Sequence, residues 1–217
     1  MIRAVAFLPH PPVLVPDVAQ GAAAELDDLR AACRVAIARV AAPGRSVVVI
    51  GPGPVSRCHA RDARGTFAGF GVPVEVGDSG ADELPLSLTV GVWLARESGR
   101  AVAAAVGIAP DRAVPDLGDG DTALLVMGDA SARRSTAAPG YLDERAEGYD
   151  AEVARALAAG DPAALGALDL GLGAQLLAAG APAWAAAATL LGTRTYDAEL
   201  LYDDAPYGVG YLVAAWT

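Results

Sequence analysis

Apolar residues recur along this chain in two patterns: short continuous runs, and longer stretches in which they are spaced by three or four. Continuous runs rich in β-branched and aliphatic residues are typical of strands buried on both faces of a sheet. They predict strands at 2–8, 46–50, 72–76, 101–108 and 122–127. A closing pair of strands is predicted at 193–201 and 207–216, with a turn at 203–206 between them.

The spaced stretches predict helices. The clearest lies at 22–42, where Leu26, Leu29 and Cys33 belong to one apolar stripe, and Pro43 ends it. Further helices are predicted at 84–98 and 141–159, and two more within 163–191, separated near 180–182. The segment 9–21 holds four prolines, so we predict an ordered loop without a helix there.

Strands that alternate with helices indicate a layered α/β fold. We predict a single domain over 1–217, in which helices flank a central mixed sheet. Ligands bind such sheets beyond the carboxyl ends of the strands. Three predicted loops meet that condition, and two of them contain His10 and His59, the two histidines of the chain.

Composition then narrows the function. The net charge of −10 argues against a nucleic acid or an anionic membrane surface as the partner, because both attract clustered positive charge. Every basic residue is arginine, which excludes a Schiff-base lysine and a phosphate-binding lysine. Cys33 and Cys58 do not indicate a disulfide framework. The amino terminus lacks the features of a secretory signal, and 178–191 is too short to span a bilayer, so we expect a cytoplasmic protein.

Four segments, in this order, resemble the LigB-like superfamily of class III extradiol ring-cleavage dioxygenases and their Memo-like relatives. They are AFLPHPPVLVP at 6–16, VVVIGPGPV at 47–55, LLVMGDASAR at 124–133 and APYGVGYLVAAW at 205–216. The resemblance covers essentially the whole chain and implies a LigB-like fold. In active members, two histidines and one carboxylate hold Fe(II), and a further histidine acts as acid and base toward a catechol.

Carried over residue by residue, the resemblance retains one of these functional groups. His10 matches the first metal ligand. Gly53 stands at the position of the second ligand, and Ala132 stands where the acid–base histidine is expected, so no catalytic residue is assigned. The third ligand is expected near 178–180, where the chain has no carboxylate or thiol and the nearest polar residue is Gln175.

A rebuilt metal site is the alternative. His59, six residues beyond the usual position, offers a substitute ligand. Together with His10 and a carboxylate from Asp17, Asp62 or Asp129, it would restore a site of two histidines and one carboxylate. That site would use both histidines and leave none for acid–base chemistry.

Arginines offer a different kind of site. Arg57 and Arg61 flank His59, and Arg133 lies in the loop that follows the strand at 122–127. Guanidinium groups bind carboxylates and phosphates through paired hydrogen bonds. These three residues therefore predict a pocket for a small anionic ligand.

Two functions follow from these observations. The favoured one is a degenerate LigB-like protein without a cofactor, which binds a small aromatic or anionic ligand or a protein partner. The alternative is an active extradiol dioxygenase that cleaves a catechol-type ring with Fe(II) as its cofactor. Members of the family often associate, and the apolar content of 53% adds to the expectation of a homodimer.

Overall fold

The computed structural model describes residues 1–114, 117 and 120–217 of the chain. Within that part it has a mixed α/β fold, as the sequence predicts. Its strands are β1 (Ile2–Leu8), β2 (Ser46–Pro52), β3 (Arg57–Cys58), β4 (Arg64–Thr66), β5 (Glu75–Gly77), β6 (Val102–Ile108), β7 (Thr122–Met127), β8 (Ala198–Asp204) and β9 (Tyr211–Trp216). Its α-helices are α1 (Pro16–Ala19), α2 (Asp27–Val40), α3 (Leu86–Glu97), α4 (Ala146–Ala159), α5 (Pro162–Gly166), α6 (Leu170–Gln175) and α7 (Ala181–Leu191).

Seven of these strands form one sheet in the order β3-β6-β2-β7-β1-β9-β8. The four strands β6, β2, β7 and β1 are parallel to one another. The outer strands β3, β9 and β8 pair in antiparallel fashion. The sheet is therefore mixed, and the carboxyl ends of its four parallel strands lie along a single edge.

Alternating side chains of the sheet enter two apolar layers. In β1, Ala6 and Leu8 face the layer that contains α2 and α3, whereas Val5 and Phe7 face the layer that contains α4 and α7. In the second layer, the rings of Phe7 and Trp216 lie 4.7 Å apart between centroids. Burial on both faces explains why the central strands consist of almost uninterrupted apolar residues.

The proline-rich segment at 9–21 differs from its prediction. It contains a 3-10 turn at Pro12–Leu14 and the short helix α1, where the sequence analysis expects no helix. Pro12 and Pro16 each stand at the start of a helical turn. The first amide of a helix has no intrahelical partner, so a proline that lacks this hydrogen costs little there.

Two predicted helices are shorter than expected. The helix predicted at 22–42 is preceded by a 3-10 helix, Gln20–Leu26, and only then continues as α2. The helix predicted at 141–159 is α4, which starts at Ala146. Tyr141 has a φ of 60° and lies in the left-handed region, so a right-handed helix cannot include it.

The region 163–191 contains three α-helices where two are predicted. Asp161 and Asp169 each accept hydrogen bonds from amides of the following turn, and they cap α5 and α6 as separate helices. The turn predicted at 203–206 is also wrong in its first half. Asp203 and Asp204 belong to β8, where they pair with Leu212 and Tyr211.

Among the helices that the structure describes, none is long and apolar enough to cross a membrane.

Candidate functional site

His10 and Asp129 meet at the carboxyl edge of the sheet. His10 lies two residues beyond β1, and Asp129 lies two residues beyond β7, the neighbouring parallel strand. The amide of His10 donates to Oδ1 of Asp129 over 2.7 Å, and Nδ1 of His10 lies 3.4 Å from the same oxygen. The backbone of β7 is held to β1 here, because Gly128 donates to the carbonyl of Leu8. Parallel pairing thus brings together two residues that are 119 positions apart.

The surroundings of Asp129 disfavour its negative charge. Burial raises the pKa of the Asp129 carboxyl above its usual range, while the His10 ring and the His10 amide oppose that rise. Nδ1 of His10 is buried and has no hydrogen-bond partner among the described residues. The pair therefore combines a carboxyl that retains its proton more readily than usual with a buried ring nitrogen that faces this carboxyl without a hydrogen bond.

Tyr211 adds a third polar side chain on the same side. It is the first residue of β9 and is buried, and burial followed by the charge of Asp129 raises the pKa of its phenol. The neighbouring Tyr207 donates from its hydroxyl to Glu25 over 2.9 Å. Tyr211 therefore stays protonated at neutral pH and can act only as a neutral hydrogen-bonding group.

His59 belongs to a separate cluster at the other end of the sheet. It directly follows β3, and its Nδ1 lies 3.1 Å from Oδ2 of Asp82. Asp82 also accepts hydrogen bonds from both terminal nitrogens of Arg57 and from the amide of Ala60. The bonds from Arg57 and from Ala60 hold the pKa of the Asp82 carboxyl at about 2. Burial and the charge of Arg57 lower the pKa of His59, against the opposing effect of Asp82.

The structure does not bring the two histidines together. His10 follows β1, whereas His59 leans on β6, where Nε2 lies 3.5 Å from the position that a Cβ on Gly107 would take. The strands β2 and β7 lie between β6 and β1, a separation of three strand spacings or about 14 Å. Of the three candidate carboxylates, Asp129 is the one placed beside His10, while Asp62 lies three residues beyond His59.

Among the described residues, no group of three His, Cys, Asp or Glu side chains could hold a metal ion. Iron ligation by His10 or by His59 stays a prediction.

The structure shows what surrounds the positions where the resemblance places the second metal ligand, the acid–base histidine and the third ligand. A Cβ on Gly53 would point to β6, 3.2 Å from the Cα of Gly107, and so away from the strand that carries His10. Ala132 is fixed by its backbone, which donates to Leu176 and accepts from Gly140. The segment 178–180 does approach the pair, since the amide of Gly180 donates to the carbonyl of Asp129 over 2.9 Å.

The three arginines of the predicted anion pocket lie in two places. Arg57 is paired with Asp82, and Arg61 is exposed near the outer edge of β6. Arg133 lies in the loop after β7 and is half-buried. Its Cγ is close to the position that a Cβ on Gly140 would take. Because β2 and β6 separate β7 from β3, the structure does not join Arg133 to the other two.

Two polar clusters in the structure are not predicted from the sequence. One is the cluster around the Asp82 carboxylate, and Asp82 lies 23 residues from His59 in sequence. The other is buried: Asp150 of α4 accepts from the amide and the hydroxyl of Ser131, each over 2.8 Å, and from Arg134 over 3.2 Å. Neither cluster has a sequence motif, since its members come from different elements. One available signal was the acidic Asp150 on an apolar helix face.

The chain matches no protein-family model, and no curated protein matches it significantly. The fold and the site define a mixed α/β protein with a histidine–carboxyl pair at the carboxyl edge of its parallel strands.

Proposed function

We propose that this chain is a LigB-like protein that does not cleave aromatic rings and binds a small ligand at the carboxyl edge of its sheet. The observation that supports this proposal best is the His10–Asp129 pair. It lies where ligands bind in parallel α/β sheets, and it includes an unpaired buried ring nitrogen. The four resembling segments support the family in this proposal, and the position of the pair supports the proposed place of binding.

The donor set does not fit the iron of an extradiol dioxygenase. Such a site needs two imidazoles and one carboxylate around a single ion. Here one imidazole and one carboxyl are close together, and the second imidazole lies about three strand spacings away. Gly53 and Ala132 carry no donor atoms in their side chains. We therefore derive no ring-cleavage step for this protein.

The pair is suited to binding through hydrogen bonds. A carboxyl with a raised pKa can donate its proton to a ligand oxygen, and the imidazole of His10 can accept or donate according to its tautomer. Tyr211 stays neutral because its pKa is raised, so it does not compensate a negative charge on a ligand. The predicted role of these residues is recognition.

The test combines metal analysis with oxygen uptake. The protein would be purified anaerobically with added Fe(II), and iron content would be measured for the wild type and for His10→Ala. Oxygen consumption with catechol would be followed in the same samples. We expect substoichiometric iron that His10→Ala does not change, and no catechol-dependent uptake.

Stoichiometric iron that disappears in His10→Ala, with oxygen uptake on catechol, would overturn the proposal in favour of the active dioxygenase. His59→Ala is the matched control, because His59 lies in the other cluster. A rebuilt site would require both substitutions to remove iron.

A further inference from the structure

A cavity of about 360 Å³ lies on the carboxyl side of β6, between the turn that follows this strand and helices α6 and α7. Its size falls within the range of roughly 300–1,000 Å³ that is common for small-molecule sites. Its walls include Pro110, Arg112, Leu170, Ala174, Ala178 and Pro182. Among the described residues that line it, Arg112 is the one with a charged side chain.

The turn that carries Arg112 is held in an unusual conformation. Arg112 has a φ of 58°, in the left-handed region that disfavours residues with a Cβ. Its amide donates to the carbonyl of Ala109 over 2.8 Å. On either side, Ser56 accepts from the amide of Ala109 over 2.9 Å and donates to Asp111 over 2.6 Å. These bonds fix the backbone of the turn that contributes Arg112 to the lining of the cavity.

The opposite wall connects the cavity to the His10–Asp129 pair. Ala178 and Ala179 line the cavity, and the next residue, Gly180, donates to the carbonyl of Asp129. Gly180 also lies against Gly128, which leaves no room for a side chain at either position. The cavity therefore shares one backbone segment with the edge of the sheet that we propose as the ligand site.

We propose that this cavity binds an aliphatic monocarboxylate, with the carboxylate on Arg112 and the hydrocarbon chain against the alanine, leucine and proline walls. The proposal goes beyond the function proposed above, because His10 and Asp129 are not among the described residues that line this cavity. Guanidinium groups form paired hydrogen bonds with carboxylates, and one arginine matches one such group.

The walls and the charge together select this class. The named apolar lining residues are aliphatic, so they offer burial of CH₂ groups without the stacking partner that an aromatic ring favours. A ligand with several negative charges would meet one arginine on a protein with a net charge of −10. A single carboxylate on an apolar chain satisfies both conditions.

Octanoate is the probe, and its binding would be followed by titration in two-dimensional amide NMR spectra of the full chain. We expect saturable shifts that centre on residues 110–113 and 170–182. Arg112→Gln should weaken binding at least tenfold, and 1-octanol should bind the wild type at least tenfold more weakly than octanoate. Ala174→Trp, a change at an exposed helix position that faces the cavity, should abolish binding.

Arg155→Gln is the matched control, because it removes an equal charge from an exposed position on α4. It should leave the affinity for octanoate unchanged. The amide spectra of each variant report directly whether it is folded. Saturable octanoate binding that Arg112→Gln and Ala174→Trp leave intact, or no saturable binding to the wild type, would overturn the proposal.

Iron content and oxygen uptake are independent of this titration. Octanoate binding together with stoichiometric iron would therefore overturn the proposed function and leave the cavity assignment standing. Failure of the titration without iron binding would overturn the cavity assignment alone.

Discussion

Each of the two histidines of the chain lies beside an aspartate, and the two carboxyls differ in their hydrogen bonds and in the direction of their pKa shifts. In the pair at the carboxyl edge of β1 and β7, Asp129 is half-buried and accepts one hydrogen bond from the described residues, from the backbone of His10. In the pair beside β3, Asp82 accepts from the side chain of Arg57 and the amide of Ala60, and it also contacts His59. The pKa of the carboxyl is raised in the first pair and lowered to about 2 in the second.

Burial raises the pKa of Asp129 against the opposing effects of His10, whereas the hydrogen bonds from Arg57 and Ala60 lower the pKa of Asp82. A carboxylate with several donors is stabilised as an anion, whereas a buried one with few donors favours its neutral form. Asp82 is therefore a permanent structural anion. Asp129 is the group with chemistry available for a ligand.

We expect the largest effect, a loss of stability, when a side chain is added at the glycine beside each histidine–aspartate pair. A Cβ at Gly128, beside Asp129, would lie 2.6 Å from the Cα of Gly180 and 2.8 Å from Nε1 of Trp184. Both neighbours are in the packed core, so Gly128→Ala should cost about 1–3 kcal/mol of stability. A Cβ at Gly107, beside His59, would lie 2.9 Å from the carbonyl oxygen of Val55. The short edge strand can move, so Gly107→Ala should cost less than Gly128→Ala.

Urea unfolding of both variants would measure this difference. Gly148→Ala is the control: a Cβ there meets nothing within 4 Å in the exposed part of α4, and it should stabilise the protein by about 0.5–1 kcal/mol. An equal cost at Gly107 and Gly128 would contradict the view that the backbone beside Asp129 is packed more tightly than the backbone beside His59.

Replacing each aspartate with asparagine should give opposite results near neutral pH. The pKa of Asp82 is lowered, so its ionised form stabilises the protein above the ordinary value of 3.8, and this contribution is lost as the pH falls toward 2. The pKa of Asp129 is raised, so its contribution is complete below its ordinary value and declines as the pH rises through the raised value. At pH 7, Asp82→Asn should lower the melting temperature by several degrees, whereas Asp129→Asn should leave it equal or raise it.

Thermal unfolding at pH 7 and at pH 3 would separate the two variants. The loss of melting temperature in Asp82→Asn should be smaller at pH 3, because the wild-type protein loses part of the stabilisation by ionised Asp82 at that pH. A loss in Asp129→Asn at pH 7 as large as that in Asp82→Asn would show that the two carboxyls are equivalent after all.

The smallest effect concerns the titration of His59. Burial and Arg57 lower the pKa of this ring, and Asp82 raises it. In NMR titrations of the imidazole, the wild type should therefore titrate below 6.5. Asp82→Asn should lower the pKa further, and Arg57→Gln should raise it. Shifts of both variants in the same direction would mean that changes in hydration outweigh these two charges.

The sequence predicts the centre of the fold better than its margins. The strands at 2–8 and 122–127 have their predicted bounds, because continuous apolar runs between polar or proline residues have few other stable arrangements. The prediction failed where a side chain or a left-handed residue sets a boundary. Asp161 and Asp169 cap α5 and α6, so these are two helices where one is predicted. Tyr141 is left-handed, and α4 starts only at Ala146.

The candidate site could be predicted only in part. Its location beyond the parallel strands follows from the alternation of strands and helices, and His10 lies there as expected. The partner of each histidine could not be chosen from sequence. Asp129 is one of the three carboxylates that the sequence offers for a metal site shared by both histidines, and Asp82 is not among them. Distance along the sequence carries no information about which loops meet.

By itself, the sequence determined the composition of the layers, the four central strands and the absence of lysine chemistry. Those properties depend on residue type and on the local pattern of apolar residues, and this pattern follows directly from which side chains are buried. The tertiary structure alone decided the order of the strands, and with it the distance between His10 and His59. The insertion of β7 between β1 and β2 places Asp129 beside His10, and β2 and β6 then lie between this pair and His59. Strand order depends on long-range pairing, which no local pattern specifies.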